Sequence, residues 1–271
     1  MCTLTFIARR NGYVLGMNRD EKRTRVAALP PARHRLGERD ALFPSEPNGG
    51  AWIGVNDIGS TLALINWYAV PACVASQPVS RGEVVKSALV ADSAGITGKA
   101  LSRLPLARVN PFRLIGVFPS SRAVVEWRWN LRRLERLDHR WQTNTWISSG
   151  FDEPGAQQTR GKAFREALRQ KSAGSVDWLR RLHRSHRPAC GPYSTCMHRE
   201  DAATVSYTEV TVSTCAATMR YLAGAPCCDS PVSVHQLNIG GRAITGMTLP
   251  DSLLSPRGTF PLIWRLHSPN I

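Results

Sequence analysis

No stretch of the 271 residues approaches the roughly 18–20 consecutive apolar residues of a membrane-crossing helix, so no membrane span is expected. The start, Met1-Cys2-Thr3-Leu4-Thr5-Phe6-Ile7-Ala8-Arg9, has neither a basic leader nor a small-residue cleavage site, so it does not read as a secretory signal and a cytoplasmic protein is expected. Acidic residues are scarce: 20 Asp and Glu stand against 35 Lys and Arg, a net charge of +15. Lysine is scarcer still, with only Lys22, Lys86, Lys99, Lys162 and Lys171. Internal repeats and low-complexity linkers are absent, which favours one domain over residues 1–271, the last part (216–271) being poorly defined. No helix-turn-helix, ribonucleoprotein or finger motif accompanies the positive charge. Trp127 and Trp129 share a strand face and Trp178 sits on an apolar stripe with Leu179 and Leu182, so core packing accounts for them and nucleic acid ranks last among the partners considered.

Hydrophobic residues at 42% and charged residues at 20% are ordinary globular values, and alternation dominates the first third of the chain. Cys2 to Ala8 and Tyr13 to Asn18 alternate on either side of Asn11-Gly12, which predicts a hairpin. A second hairpin is expected from residues 51–56 and 61–67 around Asp57-Ile58-Gly59-Ser60, after a surface loop from Lys22 to Pro47. Helical spacing follows at 82–91, with a shorter helix at 99–104, then strands at 113–118, 123–129 and 145–148. Helices at 159–171 and 175–186, a strand at 204–212, and weaker strands at 218–223 and 233–238 complete an α+β pattern with antiparallel pairing.

Seven cysteines at irregular spacings predict free thiols in a reducing compartment. Cys2 differs in kind, because removal of Met1 would leave an α-amine and a thiol on one residue. The amine titrates near 7.7–8.0 and the thiol near 8.5 when unperturbed, so the amine can accept the thiol proton at about neutral pH. Nucleophile and base then share one residue, and the remaining need is an oxyanion hole. The hairpin returns Asn18, Arg19 and Asp20 beside Cys2. Arg19 is suited to stabilising a thiolate or gripping a carboxylate, and Asp20 to fixing the α-ammonium; the alternative is a solvated strand end whose acids pair with Arg23 or Arg25.

Met1-Cys2-Thr3-Leu4, Asn18-Arg19-Asp20-Glu21, Gly49-Gly50-Ala51-Trp52-Ile53-Gly54-Val55-Asn56, Ala63-Leu64-Ile65-Asn66 and Ser80-Arg81-Gly82 together resemble the NRDE family, also called the transport and Golgi organisation protein 2 family. The resemblance continues through Ile147 to Pro154 and Arg160 to Phe164. It implies an Ntn-hydrolase-like αββα sandwich of antiparallel sheets between helical layers, distantly similar to the penicillin V acylase and bile salt hydrolase group. It also implies that the nucleophile is Cys2, the amine-orienting acid Asp20 and an oxyanion donor Asn66. The group's Arg falls on Met17, leaving Arg19 to substitute, and a second expected Asn is replaced by Ser149, a shorter single donor. The implied activity is cleavage of a small, linear, non-peptide amide through an acyl-enzyme. The implied alternative is a non-catalytic protein that binds or traffics a lipid or haem-like ligand in the same pocket. Neither reading calls for a cofactor.

His198 and Arg199, ahead of the 204–212 strand, suit an anion-gripping second wall of the pocket or, equally, a surface loop. His183, His186, Cys190, Cys196 and His198 are of metal-ligating types, but their spacing fits no common finger or ribbon, and no metal site is expected.

Overall fold

Two antiparallel sheets form the centre of the described residues. The structure, a computed structural model, describes residues 2–71 and 78–239. Expectations that fall on Met1, on Cys73 or on residues 240–271 lie outside the described residues. Sheet one takes β1 (Cys2–Arg9), β2 (Gly12–Lys22), β10 (Asn144–Ser148), β11 (Ala202–Val212), β12 (Ala216–Leu222) and β13 (Val232–Asn238), in the order β10-β1-β2-β11-β12-β13. Sheet two runs in chain order through β3 (Leu29–Leu36), β4 (Arg39–Ser45), β5 (Ile53–Asn56), β6 (Thr61–Asn66), β7 (Phe112–Phe118), β8 (Ala123–Trp129) and β9 (Leu134–His139). Helices α1 (Arg81–Ala88) and α2 (Ala94–Ser102) cover sheet two, while α3 (Glu153–Ala167) and α4 (Val176–Arg184) cover sheet one.

Side-chain alternation divides the apolar residues among three cores. Leu4, Phe6, Leu15 and Met17 meet Ile53, Val55, Ile65 and Ile115 between the sheets. Leu62, Leu64 and Leu114 face the other way, toward Val84, Val85 and Leu101 of the first helical pair. Ile7 and Val14 meet Phe164, Trp178 and Leu179 of the second. Both faces of each central strand are therefore buried, as an αββα sandwich requires.

The first hairpin closes through Arg10-Asn11, with Arg9 opposite Gly12. Gly12 takes φ +125°, and a Cβ there would lie 1.9 Å from the Val212 carbonyl oxygen on β11, so only glycine fits. The 22–47 region, expected as a loop, instead holds β3 and β4. β3 is an edge strand with Pro30, Pro31 and exposed arginines, and β9, also unforeseen, is the charged opposite edge; both carry the features that keep edges from pairing further. α2 begins after its Ser93 cap, ahead of the expected 99–104 span, and α3 begins ahead of the expected 159–171 span, after Asp152, whose side chain accepts from the Gly155 N–H. The weak strands at 218–223 and 233–238 are β12 and β13.

Candidate active site

Cys2 starts β1 between two neighbours, opposite Arg19 of β2 on one side and Ser148 of β10 on the other. Its side chain faces the inter-sheet core and is 6% exposed. Burial pushes the thiol above its ordinary value; the positive charge of the amino terminus, Arg19 and the Asp20 backbone N–H act in the opposite direction, while the Asp20 carboxylate adds to the rise. A cavity of about 610 Å³ opens over Cys2 where β6 ends and α1 begins. Its walls include Arg19, Asp20, Trp52, Asn66, Tyr68 and Arg81.

The local fold explains that gathering. Ser80 caps α1, accepting from the Gly82 N–H at 3.2 Å. A Cβ on Gly82 would come within 2.5 Å of the Gly50 Cα, so the helix start lies directly on the Gly49-Gly50 turn. That contact sets Arg81 and Trp52 on one rim. Asn66, the last residue of β6, donates from Nδ2 to the Tyr68 hydroxyl at 2.8 Å.

Arg19 lies over the Trp52 ring, 4.3 Å from its centroid, and its Nη2 is 2.6 Å from Glu46 Oε1 and 3.5 Å from Glu21 Oε2. Glu46 also binds Arg25 at 2.5 Å, and Arg25 approaches Glu21 at 3.6 Å. Two arginines and two glutamates thus neutralise one another along this wall. Arg81 is different: among the described residues it has no carboxylate partner, and its Nη1 donates to the Pro111 carbonyl at 3.2 Å. Burial lowers its pKa, against the opposing influence of Tyr68 and Cys2. Sequence reasoning gave Arg81 no role; its place in the Ser80-Arg81-Gly82 block, at a capped helix start, was the available signal.

Asp20 borders the cavity, and its carboxylate is held beneath α3. Its Oδ2 accepts from Arg160 Nη1 at 3.2 Å and its Oδ1 from the Thr204 hydroxyl at 2.7 Å, with both charged side chains at most 1% exposed. Arg160 also donates to Thr3 Oγ1 at 2.8 Å and to the Pro192 carbonyl at 3.1 Å. Arg25 pairs with Glu21 and Glu46, and Arg23 donates to the Arg199 carbonyl. A β-bulge between Thr204 and Ser206 lies opposite Asp20 and Arg19, re-aiming the strand beside the site. The Glu153 carboxyl, in the first turn of α3, accepts from the Ala69 N–H at 2.5 Å and is raised chiefly by burial, with the amino-terminal charge among the groups opposing the rise.

Four expected pocket residues do not line the cavity. Asn18 faces α4: its Nδ2 donates to the carbonyls of His183 at 2.9 Å and Thr195 at 2.8 Å. Strand parity explains this, since Asn18 neighbours Arg19 along β2 and must point the other way. Ser149 follows the register partner of Cys2 but is buried, with its hydroxyl accepting from the Phe151 N–H at 3.3 Å. Arg199 lies over Phe151 at 4.6 Å and pairs with Asp201, and His198 groups with His186, Cys196 and Cys227. His183, from the same set of metal-ligating types, is separate and fully buried. The Asn18 amide, oriented by its two carbonyls, presents Oδ1 to His183 Nδ1 at 3.0 Å, so Nδ1 carries the proton and Nε2 accepts from Thr5 Oγ1 at 3.1 Å. Burial and the nearby Arg160 push His183 down to about 3.

The family model described as Transport and Golgi organisation 2 matches residues 1–187. The chain belongs to that family. No curated protein matches the sequence. Among solved structures, this member of the Transport and Golgi organisation 2 family is similar to penicillin V acylase from Agrobacterium tumefaciens, with a TM-score of 0.52 and 10% identity over 86% of this chain and 85% of that one. A C2A mutant of the conjugated bile acid hydrolase from Clostridium perfringens aligns with a TM-score of 0.47 and 9% identity over 87% and 97% of the two chains. The fold is thus the Ntn-hydrolase-like α+β sandwich, with its two antiparallel sheets and helical layers. No described helix is long and apolar enough to cross a membrane.

Proposed function

We propose that the protein is an N-terminal-cysteine hydrolase that cleaves a small, linear, non-peptide amide. The observation that carries the reading is the position of Cys2 at the head of a central strand, with its thiol under a cavity of about 610 Å³. Once Met1 is removed, the α-amine takes the thiol proton and the sulfur attacks the amide carbonyl carbon. Asn66 and a backbone N–H hold the oxyanion as the C–N bond breaks. The proton passes to the departing amine, leaving a thioester on Cys2. Water then adds to the thioester, with the same amine as base, and releases the carboxylic acid and free thiol. Asp20 orients the amine, and Arg160 fixes its carboxylate. Arg19 supports the thiolate electrostatically, in keeping with its lowering influence on the thiol.

Incubation with a panel of acyl amides, followed by intact-mass measurement, is expected to show an acyl adduct on chains that have lost Met1 and none on Cys2→Ala. Absence of an adduct and of released amine across the panel would overturn the reading. A second reading, capture of a lipid or haem-like ligand without turnover, is favoured by the raised thiol and the aromatic Trp52 and Tyr68 walls. It predicts retained Met1 in the same mass measurement.

A further inference from the structure

The long α4–β11 connection, which carries His186, Cys196 and His198, and the β12–β13 turn, which carries Cys227, converge on one cluster of four side chains. One potential ligand atom from each lies within 4.8 Å of all the others. The Nε2 of His198 is 3.5 Å from Cys196 Sγ and 3.3 Å from Cys227 Sγ. The His186 and His198 rings meet edge-on with centroids 5.0 Å apart. His186 Nε2 is buried and has no hydrogen-bond partner in the described structure. An orphaned imidazole nitrogen inside a ring of sulfur and nitrogen donors costs stability unless something satisfies it.

We propose that these four residues bind one tetrahedral zinc ion. Zn–S bonds of about 2.3 Å and Zn–N bonds of about 2.0–2.1 Å, set at tetrahedral angles, place neighbouring sulfur and nitrogen ligands about 3.5 Å apart. The observed 3.5 and 3.3 Å separations already have that spacing. Two sulfurs, two imidazole nitrogens and no carboxylate suit zinc and disfavour magnesium or calcium, which take oxygen ligands. Four protein ligands complete the coordination shell, so the ion has a structural role and no open position for a substrate.

The site lies apart from the cavity over Cys2 but is joined to Asp20 through the backbone. Met197, between two of the ligands, donates its N–H to Thr204 Oγ1 at 2.8 Å, and that hydroxyl donates to Asp20 Oδ1 at 2.7 Å. The ion would tie the folded α4–β11 connection to the β12–β13 turn behind Asp20. His186 lies within residues 1–187 matched by the family model, and Cys196, His198 and Cys227 lie beyond them. Sequence spacing concealed it because Cys227 lies far along the chain, whereas the nearer Cys190 is exposed and His183 is committed to Asn18 and Thr5.

The test is the metal content of the untagged protein, measured by mass spectrometry after growth with zinc and after cobalt exchange. One zinc per chain is expected, and cobalt should give intense tetrahedral ligand-field bands with a sulfur charge-transfer band in the near ultraviolet. His198→Ala and Cys227→Ser should lose the metal, and Cys190→Ser and Cys228→Ser should retain it. Because the first two variants are liable to misfold, the wild-type cobalt spectrum and the shielding of two thiols from a thiol reagent by zinc decide the matter independently. A wild-type protein that takes up neither ion overturns the proposal. So does an intact mass showing a Cys196–Cys227 disulfide, or cobalt bands without sulfur charge transfer.

Discussion

Replacing Asp20 with Asn tests the least exposed charges near Cys2. The Asp20–Arg160 pair lies 3.2 Å apart with side chains 0% and 1% exposed, so the substitution strands a guanidinium away from water. Removing one partner of such a pair costs about 3–5 kcal/mol. Arg160 keeps its bonds to Thr3 and Pro192, and the amide that replaces the carboxylate can still accept one hydrogen bond, which places the expected loss near 3 kcal/mol. For a domain of this size that corresponds to a fall of roughly 6–12 °C in Tm. The double variant Asp20→Asn/Arg160→Met should recover part of the loss, because no unpaired charge remains buried. The carboxylate also raises the Cys2 thiol pKa, so Asp20→Asn should shift the pH profile of Cys2 alkylation toward acid, and removal of Arg160 as well should diminish that shift. The measurements are urea denaturation and alkylation rates across pH, with Met1 removal matched in every sample. A single variant within about 0.5 kcal/mol of wild type, or an unmoved alkylation profile, would refute the account of Asp20 as a buried, charge-bearing support.

Two further outcomes are expected. His183 is held neutral, with a folded pKa of about 3 against 6.5 unfolded, so the unfolded chain gains a proton first as pH falls. The stability it contributes is whole above 6.5 and declines toward 3, which amounts to about 2 kcal/mol lost between pH 7 and 5, and His183→Gln should flatten that part of a plot of urea midpoint against pH. An unchanged slope would sink the assignment. Gly82→Ala, which would drive a Cβ within 2.5 Å of the Gly50 Cα, should cost roughly 1–3 kcal/mol by overpacking; thermal melts that match wild type would show that the α1 start is not pinned there.

The parts of this fold that can be read from sequence are those in which local chemistry and burial agree. Tight turns at Arg10-Asn11 and around Gly59, flanked by strands buried on both faces, leave little choice about β1, β2, β5 and β6. β3 and β9 escape because edge strands are built to look unlike strands, with proline and charge where a central strand has Val or Ile. The αββα layering came from the resemblance of spaced motifs, since alternation alone does not say which sheet a strand joins.

The site divides along a similar line. A hairpin tells which residues lie near Cys2 along the sheet, and the cavity does gather Cys2, Arg19, Asp20 and Asn66. Proximity along a strand is not proximity of side chains, however, and alternation sends Asn18 toward His183 while Arg19 stays with Trp52. Arg19, expected to stabilise a thiolate or grip a carboxylate, has its charge balanced by Glu46, whereas Arg81 enters from α1 with no carboxylate partner among the described residues. Such exchanges depend on contacts between residues tens of positions apart, and the same holds for Cys227 beside His198. A local motif can therefore place a nucleophile at a strand end. Which cation faces it, and which imidazoles meet which thiols, is decided by loops that meet only when both sheets are assembled.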